Sequence, residues 1–194
     1  MKKLLIILLC LPMIGFGQLS IIQQVANEQL MDYLIKIPFG QEKMFGFNNR
    51  EEFFQAKIGN PYEVFTLSKE FFDDTNIKRE KSYIVSTGNW RVPIIVDNEY
   101  NALLTVSKEN NKWSVVKIGA KGLANELEEF DQNHLSINIR NILRVFQIKG
   151  DFILTSNNKL YPLTSASNAL LIDRNTSYST YEILTLIKNI RLKN

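Results

Sequence analysis

Apolar residues recur at helical spacing near the two ends of the chain and alternate with polar ones between them. After Ser20, the positions Ile22, Val25, Ala26, Leu30, Tyr33, Leu34 and Ile37 lie three or four apart, which predicts an amphipathic helix. Gln23 stands three residues after Ser20, the spacing of a capping box, and Pro38 is its expected stop. Ser179 and Glu182 repeat that spacing ahead of Ile183, Leu184, Ile187 and Ile190, with Lys188, Arg191 and Lys193 toward the end where the helix dipole favours cations. Shorter helices are predicted from about Asn49 to Ile58, closed by Gly59, and from about Leu123 to Phe130.

Between these helices the pattern shortens to two residues. Tyr62–Leu67, Ser82–Ser86, Trp90–Val96, Ala102–Ser107, Trp113–Ile118, Ile142–Ile148, Phe152–Thr155 and Lys159–Leu163 are rich in aromatic and branched residues and bounded by Asn, Asp and Gly. That spacing favours antiparallel hairpins. The clearest meander runs from Trp90 to Ile118, turned at Asp97-Asn98-Glu99 and at Glu109-Asn110-Asn111. Pro93 cannot donate to a ladder, so its strand should be one-sided or bulged there. The expected fold is α+β, an antiparallel sheet packed by N- and C-terminal amphipathic helices; the alternative is a β-rich sandwich with peripheral helices. In element order, a leading helix followed by a meander resembles the cystatin-like and related one-helix-on-sheet folds, a likeness of shape that assigns no residue a role.

Two stretches resemble each other. Val64-Phe65-Thr66-Leu67 is similar to Val145-Phe146-Gln147-Ile148, and Tyr83-Ile84-Val85-Ser86 with Pro93-Ile94 to Phe152-Ile153-Leu154-Thr155 with Pro162-Leu163. They outline two weakly similar hairpin units, about residues 62–95 and 143–164, within one globular domain spanning 18–194; strand alternation alone also generates such matches.

The first 17 residues carry an address. Lys2 and Lys3 precede an unbroken apolar run from Leu4 to Leu11, and the small residues Gly15 and Gly17 follow, the order of a secretory signal peptide cleaved ahead of Gln18. A membrane span needs about 20 apolar residues, and Pro12, Gly15 and Gly17 break this run well short of that. Cys10 follows Leu9, whereas a bacterial lipidation site wants a small residue there. Cleavage removes two lysines and no acid, so the formal charge of +3 falls to +1. The remaining chain has no basic run with interleaved aromatics, which argues against nucleic acid as a partner. Cys10, the only cysteine, leaves with the signal, so thiol catalysis, thiolate metal sites and disulfides leave with it. A chain of this length buries about 70% of its unfolded surface and needs no such staple. The expected location is a bacterial periplasm or the medium.

Candidate chemistry is sparse. His134 is the only histidine and stands with Gln132 and Asn133 after a predicted helix, which reads as a solvated loop; no nucleophile elbow accompanies it. One imidazole without thiolates is poor material for a transition metal, and Asp97, Glu99 and Asn101 open like a calcium loop but continue with Ala102 and Lys108 in place of its Gly and Glu. No cofactor or metal is expected. Adjacent acids at Glu51-Glu52, Asp73-Asp74 and Glu128-Glu129 point in different directions on a helix. Gly119-Ala120-Lys121-Gly122 links a strand to a helix, and Lys121 is the residue to inspect for an anion.

One stretch suggests recognition. Phe45, Phe47, Phe53, Phe54, Phe71 and Phe72 crowd a short segment, and adjacent phenylalanines cannot both face a core from one helix or strand. Exposed members of this set would stack on sugars or anchor a peptide. The expectation is an exported, non-catalytic binding or accessory module recognising a protein, peptide or envelope component; the alternative is a hydrolase working with carboxylates alone.

Overall fold

The computed structural model of the protein describes residues 13–77, 80–137 and 140–191. These residues form an α+β fold of five α-helices and nine mostly antiparallel strands, and they gather into two compact units, each with its own apolar core.

The first unit takes the chain up to Pro61 and returns for Trp90–Asn125. It holds α1 (Met13–Leu34), β1 (Lys57–Ile58), the second half of β3 (Ile84–Val96), β4 (Glu99–Glu109) and β5 (Lys112–Gly119). Trp90, Val92, Ile94 and Val96 alternate along β3 and are all buried, as the pleat requires of a face turned to a core. Ile22, Ala26, Leu30 and Leu34 of α1 belong to the same cluster. Asp97 and Asn98 (φ 51° and 68°), then Asn110 and Asn111 (φ 49° and 64°), make the two left-handed turns that a twisted hairpin prefers.

Among the described strands β5 borders only β4, so one of its edges would be left with unpaired peptide groups. Helix α1 covers it. The Gln29 amide oxygen accepts from the Val115 N–H at 2.9 Å, and the Tyr33 hydroxyl donates to the Val115 carbonyl. Register shifts by one residue beside this point, between Thr105 and Val106 of β4. Pro93 sits where a ladder ends: Ile58 pairs with Ile94, and one step on the Gly59 N–H donates to the Pro93 carbonyl at 2.8 Å, a bond proline cannot return.

Two helix boundaries differ from expectation. Helix α1 begins upstream of Ser20, whose hydroxyl bonds back to the Gly17 carbonyl at 2.9 Å inside the helix instead of capping it. The segment from Asn49 starts as expected, with the Asn49 side chain accepting from the Glu52 N–H at 3.2 Å. It makes only a 3-10 turn, Glu51–Phe54, because Lys57 and Ile58 leave to pair with β3.

The second unit comprises Tyr62–Asn89 and the chain from Glu126 onward. Its strands run in the order β3, β2 (Tyr62–Leu67), β6 (Arg140–Val145), β7 (Gly150–Thr155), β8 (Lys159–Pro162), β9 (Tyr178–Ser179). β2 and β6 are parallel, with Val64 opposite Ile142; a parallel pair needs a long connection and is invisible to hairpin logic. Helices α2 (Lys69–Asp73), α4 (Thr164–Leu170) and α5 (Thr180–Arg191) complete the unit, together with α3 (Lys121–Asn133) from Glu126 on. At α5 the capping box forms in full: the Ser179 N–H and hydroxyl both donate to Glu182, each at 2.7 Å, and the Glu182 N–H donates to the Ser179 hydroxyl at 3.3 Å. Of the two similar stretches, Val64–Leu67 lies wholly in β2, whereas Val145 ends β6 and Phe146–Ile148 turn into a 3-10 helix. Among the described residues no helix is long and apolar enough to cross a membrane.

Candidate functional site

Helix α3 carries the site on one of its faces. Leu127 is fully buried, and Asp131 accepts from the Tyr62 hydroxyl of β2 at 2.6 Å, which ties the helix to the sheet of the second unit. Glu126, Glu129, Phe130, Asn133 and, just past the helix end, His134 follow at intervals that keep them on one side. With Tyr161, Pro162 and Leu163 at the end of β8 and Arg174 and Asn175 ahead of β9, they line a cleft of about 180 Å³.

Three rings form one wall. Phe130 and His134 stack at 4.1 Å with planes 14° apart, and Tyr161 meets them edge-on at 5.0 and 4.9 Å. His134 Nδ1 lies 3.0 Å from the Phe130 carbonyl, a distance that assigns the proton of the neutral ring to Nδ1 and leaves Nε2 as an acceptor. His134 is therefore a half-buried member of a ring cluster and not the solvated loop residue its polar neighbours suggest.

The charged groups are already engaged. Arg174 Nη2 meets Glu129 Oε2 at 2.6 Å, and Glu126 Oε2 accepts from the Thr164 N–H at 2.7 Å, fixing the chain beyond Leu163. By contrast the Tyr161 hydroxyl and the side-chain amides of Asn133 and Asn175 make no hydrogen bond to any described residue. The cleft thus offers neutral donors and acceptors beside partly exposed rings, over a frame of paired charges. Among the described residues no group of three or more His, Cys, Asp or Glu side chains could hold a metal ion.

The aromatic positions singled out in the sequence lie elsewhere. Phe47 and Phe53 are buried edge to face at 5.1 Å in the first core, with Phe45 half-buried against it, while Phe54 points out and is 82% exposed. Phe71 is fully buried in the second unit, edge-on to Phe72 at 4.9 Å. Four of the six therefore belong to one unit and two to the other. Lys121 is exposed on the first residue of α3, after a turn in which Gly119 and Ala120 both have positive φ. Asn101, which reads like part of a calcium loop, instead donates to the Gly46 carbonyl at 2.8 Å and accepts from the Val96 N–H at 3.2 Å.

In the first unit, Arg50 ties together a set of groups that sequence patterns did not single out. Its guanidinium donates to the Ile37 carbonyl at 2.9 Å, the Ile35 carbonyl at 3.2 Å and Glu42 at 3.0 Å, and lies over the rings of Phe39 and Phe53. The Glu42 backbone N–H and Arg50 together hold the Glu42 carboxyl below its usual range. No protein-family model, curated protein or solved structure matches the chain.

Proposed function

We propose that the protein is an exported binding or accessory module, released from residues 1–17 into a periplasm or the medium, which recognises a protein, peptide or envelope component and not nucleic acid. The observation that carries this reading is the cleft on α3. Its polar groups fall into two sets, charged ones bonded within the protein and neutral ones that no described residue engages. Acid-base work on a glycoside or peptide needs the opposite, carboxylates left to face a substrate. Of the aromatic set, Phe54 is 82% exposed, and its side chain is also open to a partner.

A hydrolase remains the competing reading, because Glu126 and Glu129 share one cleft. Expression of the full chain in a bacterial host tests both proposals. Intact mass of the recovered protein should correspond to a chain beginning at Gln18 without lipid, and retention of Cys10 with a diacylglyceryl group would refute that processing. The protein should turn over no ester, glycoside or peptide substrate, and should retain an envelope component in pull-down. Turnover abolished by Glu126→Gln or Glu129→Gln would establish the hydrolase instead.

A further inference from the structure

Resting on the binding reading, we propose that the cleft of the second unit takes a single pyranose ring of a neutral saccharide. A pyranose presents a C–H face that packs on aromatic rings and a rim of hydroxyls that each donate and accept. The cleft matches both. His134 and Tyr161 give the apolar wall, and the Tyr161 hydroxyl, the Asn133 and Asn175 amides and His134 Nε2 supply donors and acceptors that no described residue uses.

Charge ranks the competitors. A cationic side chain would find Glu129 held by Arg174 and only Glu126, bonded to the neutral Thr164 N–H, left uncompensated, so a cation is the rival that the titration must rule out. An anion would meet two carboxylates against one guanidinium. Size sets the rest: about 180 Å³ falls below the roughly 300–1,000 Å³ of pockets that enclose drug-sized ligands, so the cleft suits one ring of a longer glycan. A ligand so small, with few hydrogen bonds, should bind with a roughly millimolar dissociation constant.

The test is calorimetric and NMR titration of the exported protein with glucose, galactose, mannose, N-acetylglucosamine and their β-1,4-linked disaccharides. N-acetyl-lysine amide and acetate serve as cationic and anionic probes. At least one saccharide should saturate. Asn133→Ala, at an exposed position, and Tyr161→Phe, which keeps the ring, should each weaken it roughly 2- to 10-fold, the loss of one hydrogen bond. Tyr161→Ala should weaken it more than tenfold, and Val116→Ala, at an exposed position of the other unit, should leave it unchanged. If Tyr161→Ala does not fold, the two milder variants decide. Failure of every saccharide to saturate, or saturation indifferent to Asn133→Ala and Tyr161→Phe, overturns the proposal. Saturation by the lysine amide alone, lost in the same variants, overturns the saccharide while leaving the binding reading intact. Release of reducing sugar from a disaccharide overturns both.

Discussion

Gly46→Ala isolates the cost of one close approach in the first unit. Gly46 ends the 3-10 turn Glu42–Phe45 at φ 97°, with its N–H donated to the Glu42 and Lys43 carbonyls. A methyl added there would stand 2.0 Å from the Asn101 carbonyl oxygen and 2.8 Å from its carbon, both backbone atoms of β4 that no rotamer change can move. Three costs combine. A left-handed conformation costs an L-residue about 1–2 kcal/mol. Pushing the two backbones apart breaks the bond from the Asn101 amide to the Gly46 carbonyl, about 0.5–1.5 kcal/mol, and strains the packing behind it by about 1–3 kcal/mol. The expected loss is about 4 kcal/mol.

Gly40→Ala supplies the control, because Gly40 has a similar φ of 79° and nothing within 4 Å of the new methyl. It should cost only the conformational part, about 1 kcal/mol. Both tryptophans, Trp90 and Trp113, lie in the first unit, so tryptophan fluorescence during urea unfolding reads that unit. At about 2–4 °C per kcal/mol, the two variants should also melt roughly 6–12 °C apart. Equal destabilisation by Gly46→Ala and Gly40→Ala, within about 0.5 kcal/mol, would show that the close approach carries no energy and refute the reasoning.

Phe47→Ala should lose about 3–5 kcal/mol by opening a cavity beside Phe53, whereas Phe54→Ala, at an exposed ring, should stay within about 0.5 kcal/mol; urea midpoints distinguish them. Tyr33→Phe removes the hydroxyl that meets the Val115 carbonyl at the β5 edge and should cost about 1 kcal/mol by the same assay; no change would mean that water replaces it freely. Ser179→Ala should cost about 1 kcal/mol through loss of the α5 cap. Donation from the Ser179 N–H and hydroxyl holds the Glu182 carboxyl below its ordinary 4.5, so the stabilisation is complete above that pH and disappears as pH falls through the lower folded value. Melting temperatures measured from pH 7 to pH 3 should fall less steeply for Glu182→Gln than for the natural chain, and identical acid limbs would show that the carboxylate does not contribute.

Local signals carried most of the fold. Period-two runs bounded by Asn and Asp located the long strands, because alternation and left-handed asparagines are properties of a few adjacent residues. The same spacing of Ser and Glu or Gln gave two outcomes for a physical reason. Ser179 ends strand β9 directly ahead of α5, so its N–H and hydroxyl reach Glu182, whereas Ser20 has helical chain on both sides and its hydroxyl turns back to Gly17. The stretch from Asn49 to Ile58, with Gly59 behind it, reads as a closed helix, yet pairing of Ile58 with Ile94 wins because it joins residues 36 apart in sequence, a term that no local window contains. The parallel β2–β6 pair is non-local in the same way, and chain length bounded the buried fraction without fixing how many cores share it.

The cleft was half legible, and the missing half explains why a motif search overlooked it. Adjacent carboxylates attract attention as pairs, but neighbours on a helix diverge by about 100°, so Glu128 and Glu129 leave in different directions. Glu128 accepts from Gln132 one turn on, and Glu129 reaches Arg174. The informative spacing is three and four: Glu126, Glu129, Phe130, Asn133 and His134 form one stripe that could be drawn from the sequence once a helix is predicted there. What the stripe cannot disclose is its opposite wall. Tyr161 arrives on β8 and Arg174 on the connection to β9, and only their arrival decides that Glu129 is paired and that a third ring meets the Phe130–His134 stack edge-on. A helix face is encoded locally, whereas the pairing and exposure of the side chains on it are set by residues the fold brings from elsewhere.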